Sequence, residues 1–188
     1  MIQSYQDYLD YLDADRRALH KRGSLKEWLF DDVWRFQRRL RKAEYLNNCR
    51  KNVIRRLVSQ YRLRSLGTKL GFSIPMNAFG PGLAIAHTGT IVVNKGARIG
   101  ANCRIHVCVN IGTAAGKSFD APTLGDNVYI GPGAKLFGLI HIGDRTVIGA
   151  NAVVNKSFEG GVTIGGIPAK VISTKDSTGL LPQDTPMA

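Results

Sequence analysis

The chain has 188 residues, a mass of 20.6 kDa and a hydrophobic content of 44%, which suffices for one sizeable core but not for two large domains. It has no run of about 20 apolar residues that could span a membrane, and its acidic N-terminus does not resemble a signal peptide. Three cysteines, odd in number and without metal-ligand spacing, favour a reducing compartment over a disulfide scaffold. We therefore expect a cytoplasmic protein with one main domain and an appendage.

Residues 1–70 are predicted to form a basic helical segment of two to four helices. This segment holds 17 Lys and Arg against 8 Asp and Glu, whereas the rest of the chain holds 9 against 6. Apolar residues recur every three or four positions, as in amphipathic helices, and Ser24 followed by Glu27 has the pattern of a capping box. The apolar positions are Leu25, Leu29, Val33, Phe36, Leu40 and Ala43, followed by Leu46, Cys49, Val53, Leu57 and Tyr61.

The basic side chains of this segment, including Arg38, Arg39, Arg41 and Lys42, are predicted to lie on the solvent side of the helices. One interpretation is a solvated face that keeps the protein soluble. The alternatives are attraction to an acidic membrane surface, which would place the protein at the inner membrane face, or to a phosphate-bearing substrate. Nucleic acid is not an expected partner, because no binding module accompanies the charge.

From about residue 71 the helical periodicity stops and a six-residue repeat begins, in which an aliphatic residue is followed by Gly or another small residue. Such a strand cannot bury its face alone but stacks on copies of itself, so that three hexads form one triangular coil of about 18 residues. We predict a β-helix domain over residues 71–172 and a C-terminal tail over 173–188 that is mobile after Lys175. The hexads begin at Val93, Ile99, Ile105 and Ile111, and then at Leu124, Ile130, Leu136, Ile142 and Ile148.

His87 interrupts the aliphatic pattern. Counting back six residues from Val93 reaches His87, so the repeat predicts an imidazole in an inward position, where it must have a polar partner or face a site. An imidazole, whose unperturbed pKa is about 6.5, suits the removal of a hydroxyl proton near neutral pH. The alternative is a hydrogen-bonded structural histidine in the first coil.

The chain resembles the serine acetyltransferase branch of the hexapeptide-repeat acyltransferases, a branch with relatives in polysaccharide biosynthesis. The resemblance covers roughly residues 71–172. It rests on the segments Gly-Leu-Ala-Ile-Ala-His-Thr-Gly-Thr-Ile-Val-Val at 82–93, Ile-Gly-Pro-Gly-Ala-Lys at 130–135, Ile-Gly-Ala-Asn at 148–151 and Gly-Gly-Ile-Pro-Ala-Lys at 165–170.

This resemblance implies a mainly β fold, a left-handed parallel β-helix with an N-terminal α-helical segment. Periodicity alone leaves the handedness open. The resemblance also implies acetyl-CoA as co-substrate, no required metal, and a homotrimer with active sites between neighbouring β-helices. The N-terminal helices are a further means of joining trimers or recruiting a partner.

Site residues follow from the same resemblance. His87 would act as general base for direct attack on the thioester, without an acetyl-enzyme. His106, about one coil further on, and Asp120 would contact the acceptor. The loop that interrupts the hexads between Gly112 and Leu124 would belong to the site, with a plain surface loop as the alternative. The residues expected at the coenzyme are Thr113, Lys117, Gly131, Pro132, Ala150 and Lys170.

Three positions depart from the serine enzymes. Ala86 and Phe72 stand where those enzymes carry acidic residues, and Ala121 stands where they carry a second His before a Pro. These departures lead us to predict an acetyl-CoA-dependent O-acetyltransferase whose acceptor is a sugar hydroxyl in capsular or exopolysaccharide biosynthesis. Serine O-acetyltransferase, an enzyme of cysteine biosynthesis, is the alternative.

Two other classes of protein remain open. A zinc hydrolase resembling γ-class carbonic anhydrase would need three ligating His, two of them about five residues apart, and His87, His106 and His141 do not provide that pair. A non-catalytic β-helix scaffold would explain the repeats but gives no reason for His87 or for the Gly-Ile-Pro-Ala-Lys segment. Failure to bind coenzyme A would favour the scaffold.

Overall fold

The computed structural model describes residues 1–116 and 120–184 of the chain. Four helices come first, each with a polar N-cap, and the capping box predicted for Ser24 and Glu27 is confirmed. None of the helices in the described ranges is long and apolar enough to cross a membrane. The helices are α1 (Tyr5–Ala18), α2 (Leu25–Phe30), α3 (Asp32–Cys49) and α4 (Val53–Leu70).

Short strands follow the helices and form three sheets. The sheet orders are β1-β3-β6-β9-β12, β10-β7-β4 and β14-β13-β11-β8-β5-β2, and all pairs are parallel except the antiparallel pair β13 and β14. Each of the three middle coils contributes one strand to each sheet, and the predicted left-handed parallel β-helix is confirmed. The strands are β1 (Phe72–Ser73), β2 (Ala84–Ile85), β3 (Ile91–Val93), β4 (Arg98–Ile99), β5 (Arg104–Ile105), β6 (Asn110–Gly112), β7 (Thr123–Leu124), β8 (Tyr129–Ile130), β9 (Lys135–Phe137), β10 (His141–Ile142), β11 (Val147–Ile148), β12 (Val153–Val154), β13 (Thr163–Gly166) and β14 (Ala169–Ser173).

The core of the β-helix consists of columns of aliphatic side chains from successive coils. In the sheet that contains β2, Ile85 pairs with Ile105, Ile105 with Ile130, and Ile130 with Ile148. Each of these side chains is at most 1% exposed. Burial of one such side chain stabilises the folded state by roughly 1.5–3 kcal/mol, so the stacked columns hold the coils together.

His87 does not occupy the inward position that counting in sixes predicts. Ile85 fills that position, because it is the residue in register with Ile105. The turn between β2 and β3 contains two more residues than the count allows, and His87 lies exposed on that turn. The predicted inward position of His87 is therefore wrong, although His87 lies next to the strand end, close to the predicted place.

Helices α1 and α3 close the N-terminal end of the β-helix. The Asp15 carboxylate accepts hydrogen bonds from the backbone N–H groups of Gly82 and Leu83, both at 2.9 Å. The Gln37 side chain donates to the Leu83 carbonyl at 2.7 Å and accepts from the Ile85 N–H at 3.2 Å. These two side chains thus satisfy backbone groups of the first coil, which has no preceding coil to pair with.

Arg41 connects these contacts into one buried network. Its guanidinium forms ion pairs with Asp15 at 2.8 Å and Glu44 at 3.0 Å, and none of the three side chains is more than 2% exposed. It also donates to the carbonyls of Phe79 at 3.0 Å and Gly80 at 2.7 Å. Burial alone would lower the pKa of Arg41, but the two carboxylates outweigh that effect and raise the pKa above its usual value.

The predicted solvent position of Arg41 is therefore wrong, and so is part of the predicted apolar stripe. The helices break at Asp31, which caps α3, and at residues 50–52, so that the apolar positions on either side of each break do not share one buried face. The side chains of the stripe that are exposed instead are those of Leu25, Leu29, Val53, Leu57 and Tyr61.

The C-terminal tail is also more ordered than predicted, up to Asp184. Ser177 is 1% exposed and donates hydrogen bonds to the carbonyls of Arg145 and Asn127. Leu181 is 2% exposed, and a 3₁₀ turn at Pro182–Asp184 packs against α1. The expectation of a mobile segment after Lys175 is wrong for these residues, because Ser177 binds the backbone of the β-helix and the 3₁₀ turn packs against α1.

Replacing Arg41 by alanine is expected to lower the free energy of unfolding by about 3–5 kcal/mol, because it leaves two carboxylates buried without their cation. Urea unfolding monitored by circular dichroism measures this change. Lys42→Ala, an exposed position on the same helix, is the matched control and should change stability by less than about 0.5 kcal/mol. Equal stability of the two variants would contradict the structural role of Arg41.

A second prediction concerns a left-handed backbone position that recurs after β5, β8 and β11. Cys108 occupies it with φ 63°, whereas the equivalent residues are Gly133 and Asn151. Asparagine tolerates this conformation better than cysteine. Cys108→Asn is expected to raise the unfolding free energy by about 1 kcal/mol, and Asn151→Cys to lower it by about as much. Changes of the same sign in both variants would refute the explanation.

Candidate active site

One corner of the triangular β-helix carries most of the predicted site. It consists of the turns that follow β2, β5, β8 and β11, namely residues 86–90, 106–109, 131–134 and 149–152. We call it the His87 corner. Backbone hydrogen bonds join successive turns: the N–H of Gly133 donates to Val107 at 2.9 Å, and the N–H of Asn151 donates to Pro132 at 2.9 Å. The corner is therefore a continuous ridge of stacked turns.

The turn that carries His87 is tied to the helical segment. Gly89 donates its N–H to the Leu70 carbonyl, and Ile91 donates to the Gly71 carbonyl, both at 3.0 Å. Gly89 has φ 128°, and a Cβ at this residue would lie 2.5 Å from a methyl group of Val107. The backbone on both sides of His87 is thus fixed, while the imidazole itself is exposed.

His106 lies beside His87 in the next coil, as predicted. The centroids of the two imidazole rings are 6.2 Å apart, and the His106 ring also lies 5.0 Å from the ring of Tyr129. The Nε of Arg104 donates to Nε2 of His106 at 3.4 Å. Burial, followed by the charges of Arg104 and His87, lowers the pKa of His106 below the ordinary value of histidine. The structure therefore favours a neutral His106.

Arg104 and Tyr129 were not singled out from the sequence. Both precede an aliphatic residue of a hexad and face outward in register with Ala84. Arg104 also lines a cavity of about 200 Å³ between α1, the start of α3 and β2, and Ala84 and Ala86 form its wall on the β-helix. The place of Arg104 and Tyr129 directly before the aliphatic residue of a hexad could have indicated these two residues, but only together with the register of β5 and β8 relative to β2.

The other predicted site residues fall into three groups. Gly131, Pro132 and Ala150 lie on the His87 corner. Thr113 and Asp120 lie at the two ends of the loop between β6 and β7, at a different corner of the same chain. Lys170 is exposed on β14, and Lys117 lies outside the described residues. A single chain therefore does not bring Thr113 and Asp120 to His87.

The buried cysteine of the β-helix core, Cys103, does not offer a nucleophile at His87. Cys103 is 1% exposed and points into the core, where burial raises the pKa of its thiol. Cys108 is exposed on the His87 corner. Within residues 1–116 and 120–184, no group of three or more His, Cys, Asp or Glu is placed to hold a metal ion.

Comparisons with known proteins show the same family in sequence and structure. The sequence model of the family described as bacterial transferase hexapeptide (six repeats) matches residues 121–156. The serine acetyltransferase of Helicobacter pylori (strain 26695) is 38% identical over 137 residues, which are 72% of this chain and 78% of that protein. The serine acetyltransferase of Synechococcus elongatus is 35% identical over 133 residues, 70% of this chain.

The chain spans only about half of the Synechococcus protein, 53% of its length. Among solved structures, the serine acetyltransferase of Brucella abortus strain S19 in complex with coenzyme A superposes with a TM-score of 0.74 at 27% identity. That superposition covers 91% of this chain and 70% of the Brucella chain. The likeness thus extends over the helical segment as well as the β-helix.

The His106 imidazole is expected to titrate below the value of about 6.5 found for unperturbed histidine, and NMR spectroscopy of the ring protons as a function of pH would measure this. The unfolded chain then binds this proton more tightly than the folded chain does. The free energy of unfolding therefore decreases as the pH falls below about 6.5. Arg104→Gln should raise the pKa of His106, since it removes a repelling charge. An unchanged titration in that variant would contradict the electrostatic coupling.

Proposed function

Because the chain belongs to the serine acetyltransferase family of hexapeptide-repeat transferases, we propose that it transfers the acetyl group of acetyl-CoA to an acceptor hydroxyl. The observation that carries this proposal is the placement of His87. Its imidazole is exposed on a turn with a fixed backbone, beside a second imidazole and at the head of a ridge of stacked turns. A general base must be accessible to the proton that it removes, and His87 is accessible on a turn whose backbone is held on both sides.

In the proposed reaction His87 accepts the proton of the acceptor hydroxyl while the hydroxyl oxygen attacks the thioester carbonyl. The tetrahedral intermediate then collapses, the C–S bond breaks, and the leaving thiolate of coenzyme A takes the proton from the His87 imidazolium. The products are the O-acetylated acceptor and free coenzyme A. No covalent acetyl-enzyme is needed, in agreement with the buried position of Cys103.

The His87 corner is the proposed path of the coenzyme. Pro132 and Ala150 are exposed on these turns, and backbone groups near them are proposed to bind the amide-containing pantetheine arm. Lys170, exposed on β14, and Lys117 are proposed to meet the coenzyme phosphates through their charge.

A homotrimer is the proposed assembly. Thr113 and Asp120 lie at a different corner from His87, so they can belong to the same active site only if a neighbouring chain supplies them. Closed cyclic symmetry would repeat such a contact three times. Under this proposal each site combines the His87 corner of one chain with the loop between β6 and β7 of the next.

L-Serine is the first proposed acceptor, because the relatives are named serine acetyltransferases. The sugar of a capsular or exopolysaccharide pathway finds no support among them. One observation keeps a non-serine acceptor as the second candidate: Phe72 and Ala121, at positions where the serine enzymes were expected to carry Asp and His, are 6% and 5% exposed and pack in the core. Polar contacts to serine are therefore missing at both positions.

Replacing His87 by alanine is expected to lower kcat for acetyl transfer by about 100-fold or more, the usual effect of losing a general base. Release of free coenzyme A from acetyl-CoA, with thiol detection, measures turnover. His141→Ala, an exposed histidine on a different sheet, is the control and should retain normal turnover. Near-normal turnover of the His87 variant would remove this residue from the mechanism.

A further inference from the structure

We propose that Arg104 binds an anionic group of the acceptor, so that the acceptor is a hydroxyl compound that carries a carboxylate and needs no ammonium group. The inference rests on the proposed acetyl transfer and specifies its substrate class. It also assigns an acceptor-binding role to a residue that the sequence did not single out.

Arg104 is a partly buried cation without a carboxylate partner among the described residues. Among the described residues, the one hydrogen bond of its side chain runs from Nε to His106, which leaves the two terminal nitrogens for a ligand. The guanidinium fork matches the two oxygens of a carboxylate. Arg104 is therefore ready to bind an anion one imidazole ring away from His87.

The surroundings of Arg104 favour an anion and disfavour a cation. The sequence from residue 45 to residue 119, which includes β2, β5 and His87, contains no Asp or Glu. Asp31, which among the described residues is the one carboxylate that lines the cavity beside Arg104, forms an ion pair with Lys21. A ligand ammonium in this cavity would thus meet Arg104 and Lys21 without an unengaged carboxylate of the described residues to bind it.

The contact with His106 adds a second group for the acceptor. Because Nε2 of His106 accepts the Arg104 hydrogen bond, a neutral ring carries its proton on Nδ1 and can donate it to an acceptor oxygen. The cavity of about 200 Å³ is smaller than the roughly 300–1,000 Å³ typical of sites for drug-sized ligands. It suits one small anionic group and not a coenzyme.

The first experiment compares acceptors of the wild-type protein by release of coenzyme A. L-Glycerate has the hydroxyl, the carboxylate and the configuration of L-serine, with a second hydroxyl in place of the ammonium group, whereas L-serinamide has the ammonium group without the carboxylate. We expect kcat/KM for glycerate to match that for serine, because no ammonium group is needed, and that for serinamide to be at least tenfold lower. D-Glucuronate and D-glucose form a second pair, which tells whether the anion belongs to a small hydroxy acid or to an acidic sugar.

The second experiment compares Arg104→Gln, Arg104→Lys and the matched control Arg98→Gln. Arg98 begins β4 with the same Arg-Ile sequence but lies on another sheet. Arg104→Gln should raise KM for the preferred anionic acceptor at least tenfold, without changing KM for acetyl-CoA or for the neutral acceptors. Arg104→Lys should restore part of the loss, and Arg98→Gln should resemble the wild type.

Several outcomes would overturn the inference. A raised KM for acetyl-CoA in Arg104→Gln would assign Arg104 to the coenzyme, and an equal loss with charged and neutral acceptors would make its role structural. A wild-type preference for serine over glycerate that Asp120→Asn abolishes would mean that an ammonium group is recognised.

Absence of turnover with every acceptor would instead refute the proposed acetyl transfer. In that case a glycerate titration, followed through the His106 ring signals of the wild type and of Arg104→Gln, still tests anion binding. A shift in the wild type that is lost in the variant supports the site, and no shift in either refutes it.

Discussion

The buried ion-pair network around Arg41 is the contact on which the rest of the structure depends. A β-helix has an open edge at each end, where backbone groups lack the partners that a further coil would supply. At the N-terminal end, carboxylate, amide and guanidinium groups from α1 and α3 take the place of that coil. Buried charges are costly unless they are paired and hydrogen-bonded, and here each of them also binds the β-helix backbone. The helical segment is thus a cap that the β-helix requires.

The same cap determines where the candidate site lies. Segment 79–85 is held by α1 and α3, and the following turn is held by the end of α4 through Leu70 and Gly71. His87 stands on that turn, so its position is fixed by helices on one side and by the next coil on the other. A site at the junction of two substructures can combine groups from both. Here the helices bring Lys21 and Asp31 to the cavity beside Arg104.

The sequence predicts the β-helix well because the repeat is local and regular. Each aliphatic position of a hexad faces the core, and small residues such as Cys103 fill the second inward position. The count of six fails only where the coil gains residues, as in the turn at His87, because an insertion changes the register without a composition signal. Arg41 was placed in solvent because hydrophobic periodicity treats every arginine as polar. Its carboxylate partner Asp15 lies on another helix, at a separation that no periodic pattern reveals.

The candidate site was predictable in part for a related reason. His87, His106 and Pro132 lie on one corner because they occupy similar places in successive coils, which a repeat makes visible. Thr113 and Asp120 lie on the loop between β6 and β7, which leaves the β-helix at a different corner from that of His87. Arg104 was not predicted because an outward side chain on a strand becomes part of a site only through the helices that pack over it.

The tail that fastens Ser177 to Arg145 and Asn127 has a consequence for folding. A solenoid has contacts mainly between neighbouring repeats, so its coils can form and fray one at a time. The tail crosses several coils and reaches α1, so it joins α1 to a part of the chain that is synthesised much later. During translation the coils can stack as they leave the ribosome, but the contacts of the tail form only after residues 177–184 have emerged. We therefore expect the nascent β-helix to remain open to unzipping from its last coil until that moment, and to become a single cooperative unit afterwards.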